Sequence, residues 1–575
     1  MGLSFLVKYM KKFRWQLIII LVTGLIVGVL LLVQQATPDQ PIESTPNPIS
    51  GGIYIEAVVG KFLRLNPFLD IYNQPDRDVD KLIFGSLVRF DSSGFPRPDL
   101  AETWGLSQDG TLYNFSLRPD LKWHDGAPLT TQDVLFTIEL LKSGNALIPQ
   151  DLRQFWSEIE VNVLSESLIQ FALPEAFTPF LDYLAFEIMP EHLLGGLSLD
   201  EMIDHPYNLA PVGSGPYKFD RLLVKENEIV GVVLQANTAY YQGRPYLDEI
   251  VIQYFPDEAS AWQAYQDGEV EGISSVSTEI LPDVLAEPNL NLYSARGPQL
   301  TIVFLNLNNP EVKFLQDADF RRALLSATDR QFMIDQFYMG QGILAHGPIM
   351  PGNWAYYNDI EQLLYNPEAA KQTFASLGLE RTEEGRSLVS PEGIEISFEL
   401  LLPDTSTHVQ IANLIKADWE DVGVQVELIV KPYEEVIADL EARTYQAALV
   451  DIDLSGTPDP DPYPFWGQAQ AQSGQNYAQW DNRSASEFLE QARINIDYGA
   501  RERLYRNFQV VFQSEMPSLP LFYPVYNYAI NAKINGVSIG GLYDLSDRFN
   551  TVNSWYILAE KVDEVVDIET TNQNE

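Results

Sequence analysis

The chain contains no cysteine among its 575 residues. That excludes disulfides, thiol nucleophiles, cysteine-ligated zinc and anchoring through a lipidated cysteine. Positive charge is also scarce: 37 lysines and arginines face 80 aspartates and glutamates, for a net charge of −43. A field of that sign repels nucleic acid and anionic lipid and favours solubility. No nucleic-acid partner is therefore expected. A solvated acidic surface is the simplest account of the excess, with adaptation to a bound cation as the alternative. No internal repeat is visible.

One long uncharged run is present, Leu17 to Val33, behind Lys8, Lys11, Lys12 and Arg14. With Trp15 and Gln16 it reaches the ~17–25 residues that span a bilayer, and its basic flank should stay cytoplasmic. A secretory signal would have an apolar core of about 7–15 residues and a small-x-small cleavage site. Val33-Gln34-Gln35-Ala36 offers no such site. Residues 1–36 are therefore expected to be a membrane anchor or signal segment, with an uncleaved transmembrane helix favoured over a cleaved signal. Residues 37–50, carrying Pro38, Pro41, Pro46 and Pro48, form a stiff linker. The body then lies outside the membrane.

The body is longer than one hydrophobic core usually supports, so two or more lobes are expected. Its most informative stretch is Leu100 to Ile138. Ser107 to Gly110 is turn chemistry. Thr111, Tyr113, Phe115 and Leu117 alternate with Leu112, Asn114, Ser116 and Arg118, a strand with one apolar face. His124-Asp125-Gly126 turns the chain. Thr130 with Asp133 predicts a capped helix start, ahead of Val134, Leu135, Ile138 and Leu141 at helical spacing.

This unit resembles the signature of the family 5 extracellular solute-binding proteins, the peptide- and nickel-binding components of ABC importers. Leu100, Ala101, Trp104, Asp109-Gly110, Leu117-Arg118, Lys122-Trp123-His124-Asp125-Gly126 and Asp133-Val134 carry the likeness. It continues through Ile188–Leu194, Ala210–Tyr217, Tyr240–Asp248, Asp267–Glu271, Asp319–Arg330, Gly340–Gly352 and Arg501–Tyr528, in order over nearly the whole body. Within Asp319–Arg330, Leu324, Leu325 and Ala327 are expected to face the core, with Arg321 and Arg322 more exposed. A glycine-rich phosphate loop at 211–217 is a poor reading, because no Lys-Ser/Thr follows.

The resemblance implies an α/β, two-lobed periplasmic-binding-protein-like fold of the second type with an additional third lobe, preceded by the transmembrane helix. Lobe I would comprise 51–84, 205–300 and 525–560, the additional lobe 85–204, and lobe II 301–524. An acidic tail, 561–575, would follow. Strands at Thr301–Asn306 and Leu519–Phe522 would cross between lobes. Ligand would be captured outside the membrane and delivered to ABC permease subunits. No cofactor, no metal and a monomer are expected.

The loop from Asp451 to Trp466 is the most chemically loaded part of the chain. Family members carry an Asp-Pro-Asp segment that Asp459-Pro460-Asp461 fits. In dipeptide binders an aspartate three residues earlier pairs with the ligand's amino terminus, and here that position is Gly456. Asp453 or a shifted loop could substitute. A pocket wall with an aromatic platform at Trp466, a solvated acidic turn over core aromatics, and a hard-cation site all remain open. Pro458, Pro460, Pro462 and Pro464 oppose the curl that calcium needs.

Ligand-contact candidates are thus Asp453, Asp459, Asp461 and Trp466 in this loop. Asn66 and Phe68, after the first strand, and Asn306, Tyr526 and Tyr528, at the crossings, complete the set. Asn66 reads equally as a turn residue, and the tyrosines equally as core. The expected ligand is an extended oligopeptide or glycan-like chain, neutral or weakly cationic. A membrane-tethered solute sensor and, more remotely, a glycoside-acting enzyme with paired carboxylates are the alternatives.

Overall fold

The largest sheet is mixed and runs through both halves of the body. Its order is 425–431, 397–403, 447–453, 299–305, 518–531, 272–273, 53–59, 249–255, 228–236 and 217–225. Strands 290–296 and 342–344 also pair with 518–531. The computed structural model describes residues 48, 50–382 and 386–558. The expected anchor at 1–36, the linker apart from Pro48 and Ser50, and the tail at 561–575 lie outside these residues. Among the described residues no helix is long and apolar enough to cross a membrane. Ser50 to Ile557 form one compact unit.

Two segments carry the chain between halves. Strand Leu290–Arg296 continues through Gly297-Pro298 into Gln299–Leu305, while Ser518–Asn531 runs antiparallel beside both. Pairing stops between Arg296↔Val525 and Thr301↔Phe522, and one backbone bond, Gly297 N to Pro524 O (3.1 Å), spans the gap. The sequence suggests a short strand at Leu519–Phe522. It extends to Asn531 because Tyr526 and Tyr528 pair with Ala295 and Tyr293, a long-range ladder with no local signature.

The strand–turn–helix unit forms as its residues dictate. Leu112–Leu117 alternates buried and half-buried positions within a four-stranded antiparallel sheet. Helix Thr131–Lys142 begins with a full capping box between Thr130 and Asp133. Gly213 and Gly215 hold the neighbouring loop against helix Gln74–Ile83, where a Cβ on Gly213 would lie 2.0 Å from the Ile83 carbonyl. His124 bonds this loop through its backbone N–H to Gly213 O, 2.8 Å. The turn, loop and helix therefore form one scaffold.

The additional region does not own its core. Tyr113, Phe115, Trp156 and Phe171 share one apolar cluster with Tyr54, Leu82, Ile250 and Trp555 of the first half. The second half has separate clusters on the two faces of its sheet. Arg321, expected to be exposed, is 2% exposed. Its guanidinium donates to the carbonyls of Leu315 (2.7 Å), Met516 (2.8 Å) and Glu515, which removes the cost of burying it.

Candidate functional site

A cavity of about 480 Å³ lies between the two halves. The first half supplies Asp70, Arg77 and Lys81, and the additional region supplies Arg89, Asp182 and Glu187. Asp453, Gly456 and Pro458 form the opposite wall. A smaller recess of about 60 Å³ shares Lys81, Ser86, Arg89 and Glu187 with it. The halves touch around the cavity: Gly456 N donates to Tyr543 O (2.8 Å), Asp459 N to Asp182 Oδ2 (2.9 Å), and Trp354 N to Ser93 O (2.9 Å).

Helix Gln74–Ile83 organises the first wall, burying Val79, Leu82 and Ile83 at helical spacing together with Asp76, Asp78 and Asp80. Asp76 caps the preceding loop through the N–H groups of Leu63 and Arg64. Asp78 pairs with Arg548, 2.7 Å. Asp80 is 1% exposed, and neither carboxyl oxygen finds a donor among the protein's own groups. Asp70 lies beside it, so a proton held between the two carboxyls is the arrangement that satisfies both. Burial and the nearby Glu187 push Asp70 up to about 9. Burial likewise raises Asp182, reinforced by Asp459, and raises Glu187 against the pull of Lys81. The wall is accordingly less negative than its carboxylate count suggests.

Of the nine candidate contacts, Asp453 alone lines the cavity. Its Oδ1 accepts from Ser455 N, 2.8 Å. Asp459 and Asp461 face arginines instead: Asp459 pairs with the fully buried Arg501 at 2.6 Å, and Asp461 with Arg493 at 2.9 Å. Among the described residues no group of three or more acids or histidines is placed to hold a metal. Trp466 is not on a cleft wall. It is 1% exposed and packs on Phe304 and Phe512, with ring centroids 5.8 and 4.7 Å away.

The remaining candidates are internal braces. Asn66 donates to Asn208 Oδ1 (3.1 Å) and accepts from Phe68 N (3.1 Å), a side-chain turn, and Phe68 belongs to the first-half core. Asn306 holds the carbonyls of Arg443 and Tyr445. Tyr528 donates to Glu56 Oε2 (2.7 Å) and touches the Tyr54 hydroxyl, while Tyr526 donates to Ser274 O. The wall residues Arg89 and Glu187 carry no sequence signal, because their placement depends on pairing between distant segments.

The family described as bacterial extracellular solute-binding proteins, family 5 (middle region), matches residues 96–475, more than half of the chain. The oligopeptide-binding protein AppA of Bacillus subtilis is 25% identical over 528 residues, covering 90% of this chain and 93% of that protein. A dipeptide-binding protein of Escherichia coli is 25% identical over 469 residues, 77% of this chain and 84% of that one. Among solved structures, HbpA2 from Haemophilus parasuis superposes with a TM-score of 0.77 at 21% identity, covering 88% of this chain and all of that one. AppA in complex with a nonapeptide gives 0.65 at 23% identity, covering 89% and 100%. These structures share the fold. The relatives are binding proteins and not enzymes. This chain belongs to the family 5 bacterial extracellular solute-binding proteins.

Proposed function

We propose that the protein captures a short peptide in the cavity between its halves, outside the cytoplasmic membrane, and delivers it to the permease of an ABC importer. The observation that carries this reading is the cavity of about 480 Å³ with walls from both halves, a size within the ~300–1,000 Å³ of small-ligand sites. Peptide binding by the AppA and dipeptide-binding relatives supports the ligand class. Gly456 does face the cavity, so the position that would pair with an ammonium carries no charge. Asp453 lies on the same wall and takes that role, Ser455 holding one oxygen and leaving the other for the ligand. The uncharged run Leu17 to Val33 tethers the body to the membrane, and the protein works as a monomer.

Mass spectrometry of the ligand that co-purifies with the protein is the test, followed by calorimetry against di- and tripeptides. Free-amine peptides should bind more tightly than their N-acetylated forms, and Asp453→Asn should erase the difference. A co-purified ligand without a peptide bond, with no peptide binding, overturns the reading.

A further inference from the structure

Three cations line the cavity, and two are already engaged. Arg77 donates to the carbonyls of Asp70 and Ile71 and pairs with Asp544 at 3.3 Å. Lys81 pairs with Asp547 at 3.0 Å. Arg89 differs. It sits in the short strand Val88–Phe90, and its Nε is buried without a hydrogen-bond partner. Among the described residues no carboxylate pairs with its guanidinium. Of the acids that line the recess with it, Asp99 already accepts from Ser86 N, the Tyr241 hydroxyl and Gln242 Nε2, and Glu187 is drawn to Lys81.

We propose that Arg89 is the anion-reading residue of the cleft and that it takes a carboxylate of the ligand. Arg89 lines both the main cavity and the recess. The recess, about 60 Å³, holds about two water volumes, the size of a carboxylate rather than a side chain. A planar guanidinium with unused donors matches a carboxylate through two parallel hydrogen bonds. Leaving a half-buried guanidinium unpaired is costly, and a ligand that supplies the missing acceptor recovers that cost on binding. The raised pKa values of Asp70 and Glu187 soften the repulsion such a ligand would meet. The overall negative charge favours neutral or cationic ligands, and this local site adds an anionic group to them.

The inference rests on the cavity being the ligand site, and the test separates the two. Calorimetry compares trialanine, trialanine amide, succinate and inorganic phosphate on the wild type, Arg89→Gln and Arg89→Lys. Trialanine should bind the wild type about 10–100-fold more tightly than its amide, the value of a charge-assisted hydrogen-bond pair. Arg89→Gln should lower trialanine to the level of the amide and leave the amide unchanged, with Arg89→Lys between. Thermal unfolding of ligand-free Arg89→Gln should come no earlier than that of the wild type, since Arg89 has no ion pair to lose and its unpaired burial is costly. Equal binding of trialanine and its amide to the wild type overturns the proposal, as does an equal loss of both in Arg89→Gln. If no peptide binds, the peptide reading fails, and succinate decides for Arg89: binding lost in Arg89→Gln supports it, and no binding overturns it. Phosphate binding without succinate binding overturns the carboxylate assignment.

Discussion

The two halves of the body bury charge in opposite ways. The first half buries acids: Glu56, Asp70, Asp76, Asp78 and Asp80 are each 4% exposed or less. One arginine, Arg548, answers Glu56 and Asp78, with contacts of 2.7 Å to each. The second half pairs buried Arg501 with Asp459, but answers two other buried arginines, Arg330 and Arg321, with backbone carbonyls. Arg330 donates to Ala345 O (2.5 Å), Pro520 O (3.0 Å) and Leu363 O, and Arg321 does the same with three others. Burial lowers both arginines only to about 10, so they stay charged at ordinary pH. Burial instead raises Asp70, Asp76 and Asp80. A large upward shift of an acid toward ordinary pH, at Asp70, thus lies on the charged wall of the cavity.

Breaking the comparison at Arg548 should cost most. Arg548→Met leaves two buried carboxylates without a counter-charge, and about 3–5 kcal/mol of stability should be lost in urea unfolding. A triple change with Glu56→Gln and Asp78→Asn should recover much of it. If the single variant unfolds like the wild type, the buried network contributes little.

The next effect is the pH response. Asp70 titrates at about 9 when folded against an ordinary 3.8. Between those values the folded chain holds a proton that the unfolded chain has released, so stability falls as pH rises from about 4 to about 9. Asp76, raised to about 6 mainly by burial, adds to the fall between about 4 and 6. Asp70→Asn should therefore unfold later than the wild type at pH 9, by roughly 2 kcal/mol or more at about 1.4 kcal/mol per pKa unit. The two melting curves should converge toward pH 4. A constant offset across that range would contradict the assignment.

Arg330→Met sharpens the contrast. It strands no carboxylate, so its cost should be about 1.5 kcal/mol, within the range for hydrogen bonds to a charged group, and should not vary between pH 5 and 9.

The smallest expected change is in the cleft. Gly456 has φ +68 and open space where a Cβ would lie, a conformation aspartate tolerates. Gly456→Asp should place a second carboxylate beside Asp453 and tighten free-amine dipeptides by up to about tenfold, or about 1.4 kcal/mol. Calorimetry against the N-acetylated dipeptides is the control, and equal gains for both would contradict a role for charge.

What the sequence makes legible is what is local. The Thr130–Asp133 capping box is read from neighbouring residues and forms as written. In helix Gln74–Ile83 the apolar Val79, Leu82 and Ile83 are at helical spacing, but nothing local explains the buried acids beside them; Asp78 is answered by Arg548, 470 positions away. The Asp459–Asp461 loop is visible as chemistry, but its partners Arg501 and Arg493 lie on distant helices. Aromatic type alone does not separate platform from core, so Trp466 falls inside the second half. Arg89 stands out only once the two other cations of the cavity, Arg77 and Lys81, are seen to have partners.

The gap in pairing at Gly297-Pro298 and Tyr523-Pro524 has a mechanical consequence. A sheet resists bending in proportion to the rungs that a bend must stretch; between these two segments Pro298 and Pro524, which bring no N–H, leave a single rung, and only the short strand 342–344 braces 522–524 on the other edge. The ladders on either side are complete enough to act as stiff plates. Compliance is therefore concentrated in a few residues, which lets the plates swing without loosening the sheet that each carries. In hydrogen exchange the amide of Gly297 should lose protection well before those of Tyr293 or Val303.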